Sequence, residues 1–265
     1  IKSSLYSHLL SISVVAEMYS PADLAYYNQG DKFPSVITSN INASIDSVLL
    51  PTMASVQDDA SRVKSMTRRA IKTSTYIMAP LMMGLAFCAE PIVRLVLTDK
   101  WLACVPFLRI FCITYMFYPI HTANLNAIKA MGRSDLFLKL EIAKKIVGMA
   151  LLLSTMWFGV MAMAYSLLVS SVTSQIINSW PNRKLLNYRY LDQLKDILPG
   201  IALAIFMGCC VNLVALLHLS NTVTLLIQIP MGAAIYIGAS AVLHLESYEY
   251  LMGMIRPVLK KIARK

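Results

Sequence analysis

The sequence predicts an all-α, polytopic integral membrane protein of about eight transmembrane helices. Three observations predict it. Of the 265 residues, 57% are hydrophobic and only 14% are charged, whereas a soluble domain carries about 25% charged residues. Mean hydropathy is +0.60. Apolar runs recur along the whole length, near 4–19, 33–54, 73–97, 103–128, 136–158, 161–180, 195–217 and 222–245, and a helix needs roughly 20 such residues to cross about 30 Å of hydrocarbon.

The elements follow in order. The chain begins at Ile1 and opens directly into the first run, which reads as a fragment whose N-terminal part is missing. Glu17 ends that run, as an exposed cap or a cavity group. Residues 19–31 connect it to the second. In the second run Ser35, Ser39, Asn42 and Asp46 recur at i, i+4, i+7 and i+11, the spacing of one helical face, while Asn40 and Ser44 lie off it. Polar side chains in lipid must face the bundle or water, so this face either lines a hydrated cavity or holds helices together.

The polar segment 57–70 reads as a short helix at the lipid surface or a solvated linker. In the third run Glu90 and Arg94 are spaced as a helix ion pair. In the fourth, Arg109 sits near one end, where it snorkels outward or pairs with an anionic ligand through its planar fork. His121 and Asn124 share a face further along, where the histidine is a hydrogen-bonded packing residue or a proton carrier. In the fifth, Lys139, Glu141, Lys144 and Lys145 precede the apolar part 146–158, either as anchors in the headgroup layer or as cations that receive a phosphate. The connection after it is so short that runs five and six form an antiparallel hairpin. Gly200, Ala204 and Gly208 make a small-residue stripe in the seventh, suited to close helix packing.

Charge sets the topology. The net charge is +10. Lys and Arg gather after the second, fourth, sixth and eighth runs, and only Lys32, Arg94 and Lys100 fall on the opposite side. That alternation places both ends in the cytoplasm. It also accounts for the basic balance without nucleic acid, because aromatic residues for stacking bases are absent from those loops. The five cysteines form no CxxC pair and read as small buried hydrophobes. The sequence shows no HExxH, GxSxG, Walker or GxGxxG motif, which argues against an enzyme, and it implies no cofactor or metal.

Four stretches carry a resemblance: TyrSerProAlaAspLeuAlaTyrTyrAsnGlnGlyAsp (19–31), LeuLeuProThrMetAlaSerValGlnAspAsp (49–59), GluProIleValArgLeuValLeuThrAspLysTrp (90–101) and AsnAlaIleLysAlaMetGlyArgSerAsp (126–135). The chain resembles the second half of Wzx-type flippases, in the WzxC-like lipopolysaccharide and colanic-acid branch of the multidrug/oligosaccharidyl-lipid/polysaccharide exporter superfamily. The resemblance implies two six-helix bundles facing each other across a cavity. Residues 1–181 would be the second bundle, 182–265 would hold two additional helices and a basic cytoplasmic tail, and the first bundle would be the missing N-terminal half.

It further implies transport of undecaprenyl-pyrophosphate-linked oligosaccharide repeats across the bacterial inner membrane by alternating access. The partners would be that lipid-linked substrate, membrane lipid and a coupling ion, proton or sodium. Arg109 is then the expected phosphate contact. Ser39, Asn42, Asp46 and Asn124 are the expected cavity lining, with His121 and Lys144 beside them. A multidrug/cation antiporter shares the architecture. A membrane-embedded polymerase or acyltransferase is the rival of a different class.

Overall fold

A computed structural model describes residues 14, 18–217 and 219–262, with side chains through Arg256. The first expected span falls almost wholly outside the described residues, as does Glu17. Among the described residues the regular structure is helical throughout: α1 Pro21–Ala54, α2 Ala60–Phe87, α3 Ala89–Val96, α4 Val105–Met116, α5 Tyr118–Ala130, α6 Ser134–Thr155, α7 Val160–Leu185, α8 Tyr190–Leu213, α9 Asn221–Val242 and α10 Glu246–Ile262. Short 3-10 turns precede α4 and follow α8.

Four stretches are long and apolar enough to cross a membrane: Asp99–Ala130, Val160–Leu185, Tyr190–Leu217 and Asn221–Val242. The bent pair α2–α3 makes a fifth if it is taken as one span. The expected count of eight is therefore not reached among the described residues. α1 and α6 have the length but not the apolarity. α1 is rich in Ser, Thr and Asn, and α6 carries Lys139, Glu141, Lys144 and Lys145.

Two boundaries differ from the sequence expectation. Residues 19–31 are not a connection, because helix α1 begins at Pro21. Ser20 caps it, accepting from the Asp23 backbone while the Asp23 carboxylate receives the Ser20 backbone N–H. That reciprocal capping box nucleates a first turn, and Pro21 at its start suits a position where no donor is needed. Residues 57–70 are not a separate surface helix either. Asp59 caps a helix that runs unbroken from Ala60 to Phe87, and Val63 and Thr67 are buried against the bundle.

Two helix runs are interrupted, only the first by a sharp bend. α2 turns by 69° into α3 at Cys88. α4 passes into α5 at Phe117, where Pro119 in the first turn of α5 brings no backbone donor. Past the first bend, Arg94 bonds Glu90 at 3.0 Å, as the spacing predicts, and also Asp99 at 2.9 Å.

The expected α6–α7 hairpin is present. Its turn is closed by Gly159 at φ 99°, and Tyr19 clasps it. The Tyr19 hydroxyl donates to the Met156 carbonyl at 2.5 Å and accepts from the Gly159 N–H at 2.9 Å. The small-residue stripe of α8 also packs as expected. A side chain at Gly208 would meet the Phe87 ring of α2, and one at Gly200 would touch Tyr76. Tyr236 of α9 completes the contact, donating to the Tyr76 carbonyl at 2.9 Å.

One apolar core joins α2, α4, α5, α8 and α9, and a smaller one gathers Tyr27, Phe111, Leu152 and Met163 between α1, α4, α6 and α7. Cys88, Cys104 and Cys112 are buried and unpaired, as expected of small hydrophobes, whereas Cys209 is exposed. At the charged end of the bundle, Arg68 forks onto Asp196 with two 2.7 Å bonds, and Tyr188 donates to the same carboxylate at 2.8 Å. Lys72 pairs with Glu246. Burial, and then the bond to Asp196, push the Tyr188 phenol well above its ordinary range.

Candidate functional site

α1 is the helix on which the polar groups concentrate, and its two sides do different work. One side packs on α4 and α5 through paired polar groups. Tyr115 donates to Asp31 at 2.5 Å, Thr122 to Asn42 at 3.0 Å, and Asn126 to Asp46 at 2.7 Å. The last two pairs share a sequence offset of 80 residues. A constant offset means that α1 and α5 run parallel in register, as two spans crossing in the same direction would.

The other side of α1 is open. Lys32, Val36, Ser39, Asn40, Ala43, Ser44, Ser47 and Val48 are exposed along it. Only the two valines among them are large and apolar. On the other helices the outward side chains of the apolar stretches are mainly hydrocarbon or aromatic: Leu138, Ile142 and Ile146 on α6, Tyr165, Val169 and Trp180 on α7, Leu198 and Phe206 on α8, Leu226 and Ile229 on α9, with Arg109 on α4 and Lys139 and Lys145 on α6 as exposed charges. Those faces suit acyl chains. The α1 face does not, because an amide and a row of hydroxyls in hydrocarbon are costly.

The local chemistry of that face is specific. Ser39 donates to the Val36 carbonyl at 3.0 Å, Asn40 to Val36 at 2.8 Å, Ser44 to Asn40 at 2.9 Å and Ser47 to Ser44 at 2.9 Å. Each hydroxyl spends its proton on its own helix. What it presents outward is an oxygen with lone pairs. The serines of the face thus offer acceptors outward, beside the amide of Asn40 and the ammonium of Lys32.

The residues singled out from sequence divide. Ser39 lies on the open face. Asn42 is buried and Asp46 half-buried, both turned to α5. The spacing that grouped them marks the seam, and the open arc is rotated from it by about a quarter turn, so it includes Asn40 and Ser44. Arg109 is exposed on α4 and donates to the Ala86 carbonyl at 3.3 Å, in the last turn of α2 before the bend. One of its five donors is committed there.

His121 and Asn124 meet a polar row on α7 that holds none of the expected site residues. Ser171, Gln175, Asn178 and Asn182 line the inner face of α7, and all four are buried. Their spacing of i, i+4, i+7 and i+11 repeats that of α1, and this was the available signal. Asn178 bonds His121 at 3.0 Å. Lys144 pairs with Glu141 on α6 at 2.5 Å. Asn124 is wholly enclosed. It donates to Gln193 at 2.7 Å and accepts from Asn182 at 2.6 Å, tying α5, α7 and α8 together. No group of three or more His, Cys, Asp or Glu that could hold a metal occurs among the described residues.

Comparison with known proteins places this geometry. A family described as "Polysaccharide biosynthesis protein" matches residues 3–106. The chain is 25% identical over 170 residues to an uncharacterized membrane protein in the cps region of Klebsiella pneumoniae, covering 64% of this chain and 35% of that one. It is 24% identical over 170 residues to the lipopolysaccharide biosynthesis protein WzxC of Escherichia coli K12, covering 64% and 34%. It is 22% identical over 223 residues to the teichuronic acid biosynthesis protein TuaB of Bacillus subtilis, covering 84% and 45%. The chain therefore spans between about a third and a half of these relatives.

In fold it is similar to the lipid II flippase MurJ in an inward closed conformation, with a TM-score of 0.70 and 17% identity over 91% of this chain and 51% of that one. The family resemblance read from the sequence is thereby supported: this is a multi-pass membrane protein similar in sequence to polysaccharide-biosynthesis membrane proteins and in fold to a lipid flippase.

Proposed function

We propose that this chain is the second half of a flippase that carries undecaprenyl-pyrophosphate-linked oligosaccharide repeats across the bacterial inner membrane by alternating access. The observation that carries the reading is the long exposed row of amide and hydroxyl groups on α1, in a bundle whose other outward faces are mainly apolar. On this reading residues 1–181 form one lobe, 182–265 add two helices and the basic tail, and α1 faces the other lobe across an aqueous path. The serine acceptors of that row take sugar hydroxyls. Arg109, with donors to spare beyond Ala86, takes the pyrophosphate. The positive loops lie in the cytoplasm, and a proton or sodium gradient supplies the energy.

Cation antiport is the weaker reading, because the Asp46 carboxylate is engaged by Asn126 and the only charge on the open face is Lys32. The test uses the full-length transporter. Asn40→Leu with Ser44→Leu should leave the protein folded and inserted but cause lipid-linked oligosaccharide to accumulate in the cytoplasmic leaflet. Val169→Leu, on the apolar face of α7, is the control and should transport normally. Normal transport by the α1 double variant would remove that row from the path.

A further inference from the structure

Helix α10 follows the last span almost at once. α9 ends at Val242, and the turn is closed by Leu243, His244 and Leu245, whose N–H groups bond Ala239, Ala241 and Ser240. His244 takes a left-handed φ of 48°, which redirects the chain. α10 therefore begins at the level where α9 leaves the hydrocarbon. Its first turns are held to α2. Glu246 pairs with Lys72, the Arg69 guanidinium lies 4.8 Å from the Tyr250 ring centre, and Tyr248 and Leu251 pack on the main core. Beyond Leu251, Met254 and Ile255 stand exposed.

The sequence of α10 sorts into two arcs. Apolar residues recur at 248, 251, 252, 255, 259 and 262, a helical period. Within α10 the basic residues fall at 256, 260 and 261, the sequence after it adds Arg264 and Lys265, and no acidic residue follows Glu249. An amphipathic helix that starts at a span's end, exposes Met and Ile, and carries only positive charge in its second half is built for a membrane surface and not for water.

We propose that α10 lies in the headgroup layer and binds the anionic phospholipid surface, with the exposed Ile255 of its apolar arc toward the acyl chains and the basic arc toward lipid phosphates. In doing so it anchors the charged ends of α2 and α8, to which Lys72 and Asp196 connect it. The proposal rests on the membrane-spanning reading of α9. It does not depend on transport or on which side is cytoplasmic, because a nanodisc presents both leaflets.

The test is hydrogen exchange of the full chain in nanodiscs of phosphatidylcholine alone or with about 30% phosphatidylglycerol. Amides of residues 250–262 should exchange at least about tenfold more slowly in the anionic discs, while those of α9 stay unchanged. High salt on the unsubstituted chain should erase the difference, as should the triple variant Arg256→Gln, Lys260→Gln, Lys261→Gln. Equal exchange in the two lipids would overturn the proposal. Slowing produced by soluble inorganic phosphate in phosphatidylcholine discs would also overturn it, in favour of a free-anion site.

Discussion

Asn126 donates a 2.7 Å hydrogen bond to Asp46, and one turn away Thr122 donates to Asn42 at the same 80-residue offset. The two bonds fix α1 against α5 along the seam behind the open face. Hydrogen bonds between membrane helices contribute about 0.6 kcal/mol on average and at most about 1.7. A double-mutant cycle of Asp46→Ala and Asn126→Ala, read by thermal unfolding in detergent, should give a coupling energy in that range. Additive effects would mean that the pair does not hold the seam.

The crossing of α1 and α4 at Gly30 should tolerate no side chain. A Cβ there would sit 2.7 Å from the Phe107 Cβ and 2.9 Å from the Leu108 backbone nitrogen, neither of which can rotate away. At Gly208 the clash is with the Phe87 ring at 2.2 Å, and a ring can turn. Gly30→Ala should cost about 1–3 kcal/mol, the usual penalty of overpacking, and Gly208→Ala less. Unfolding midpoints of the two variants compare them directly, and a larger loss at Gly208 would contradict the assignment.

The apolar runs, the α6–α7 hairpin, the Glu90–Arg94 pair and the small-residue stripe of α8 were all legible in the sequence, because each depends on local spacing. The continuation of α2 through 57–70 was not. Its charges suggested a surface helix, but Arg68 and Lys72 are held by Asp196, 128 and 124 positions away. The open face of α1 was half legible. Periodicity grouped Ser39 with Asn42 and Asp46, yet only tertiary packing decides which side of a polar helix is covered. The α7 row was legible and was overlooked, because its amides sit within a span whose average is apolar.

Arg109 tests the proposed phosphate contact. Its bond to Ala86 satisfies a carbonyl of the last turn of α2, where a cation is also favoured by the helix dipole. Arg109→Lys keeps the charge but loses the fork. If the guanidinium grips pyrophosphate, the full-length Lys variant should stay near wild type in thermal stability yet transport at least about tenfold more slowly, the loss of one charge-assisted bond. Parallel losses of stability and transport in both Arg109→Lys and Arg109→Ala would assign it to the bend alone.

The Tyr188–Asp196 bond predicts a pH dependence. The neutral phenol is the form that donates to the carboxylate, and burial and that bond raise its pKa in the folded protein. A group with a raised folded pKa contributes stability that is fully present below its unfolded value, about 10 for tyrosine, and that is lost as pH climbs toward the folded value. The protein should therefore lose stability above about pH 10, where an unfolded tyrosine ionises. Tyr188→Phe cannot ionise. It should start about 1 kcal/mol less stable at pH 7, because Asp196 loses a donor, and its thermal midpoint should fall less steeply between pH 9 and 11. Identical slopes for the two proteins would show that Tyr188 is not the group that titrates.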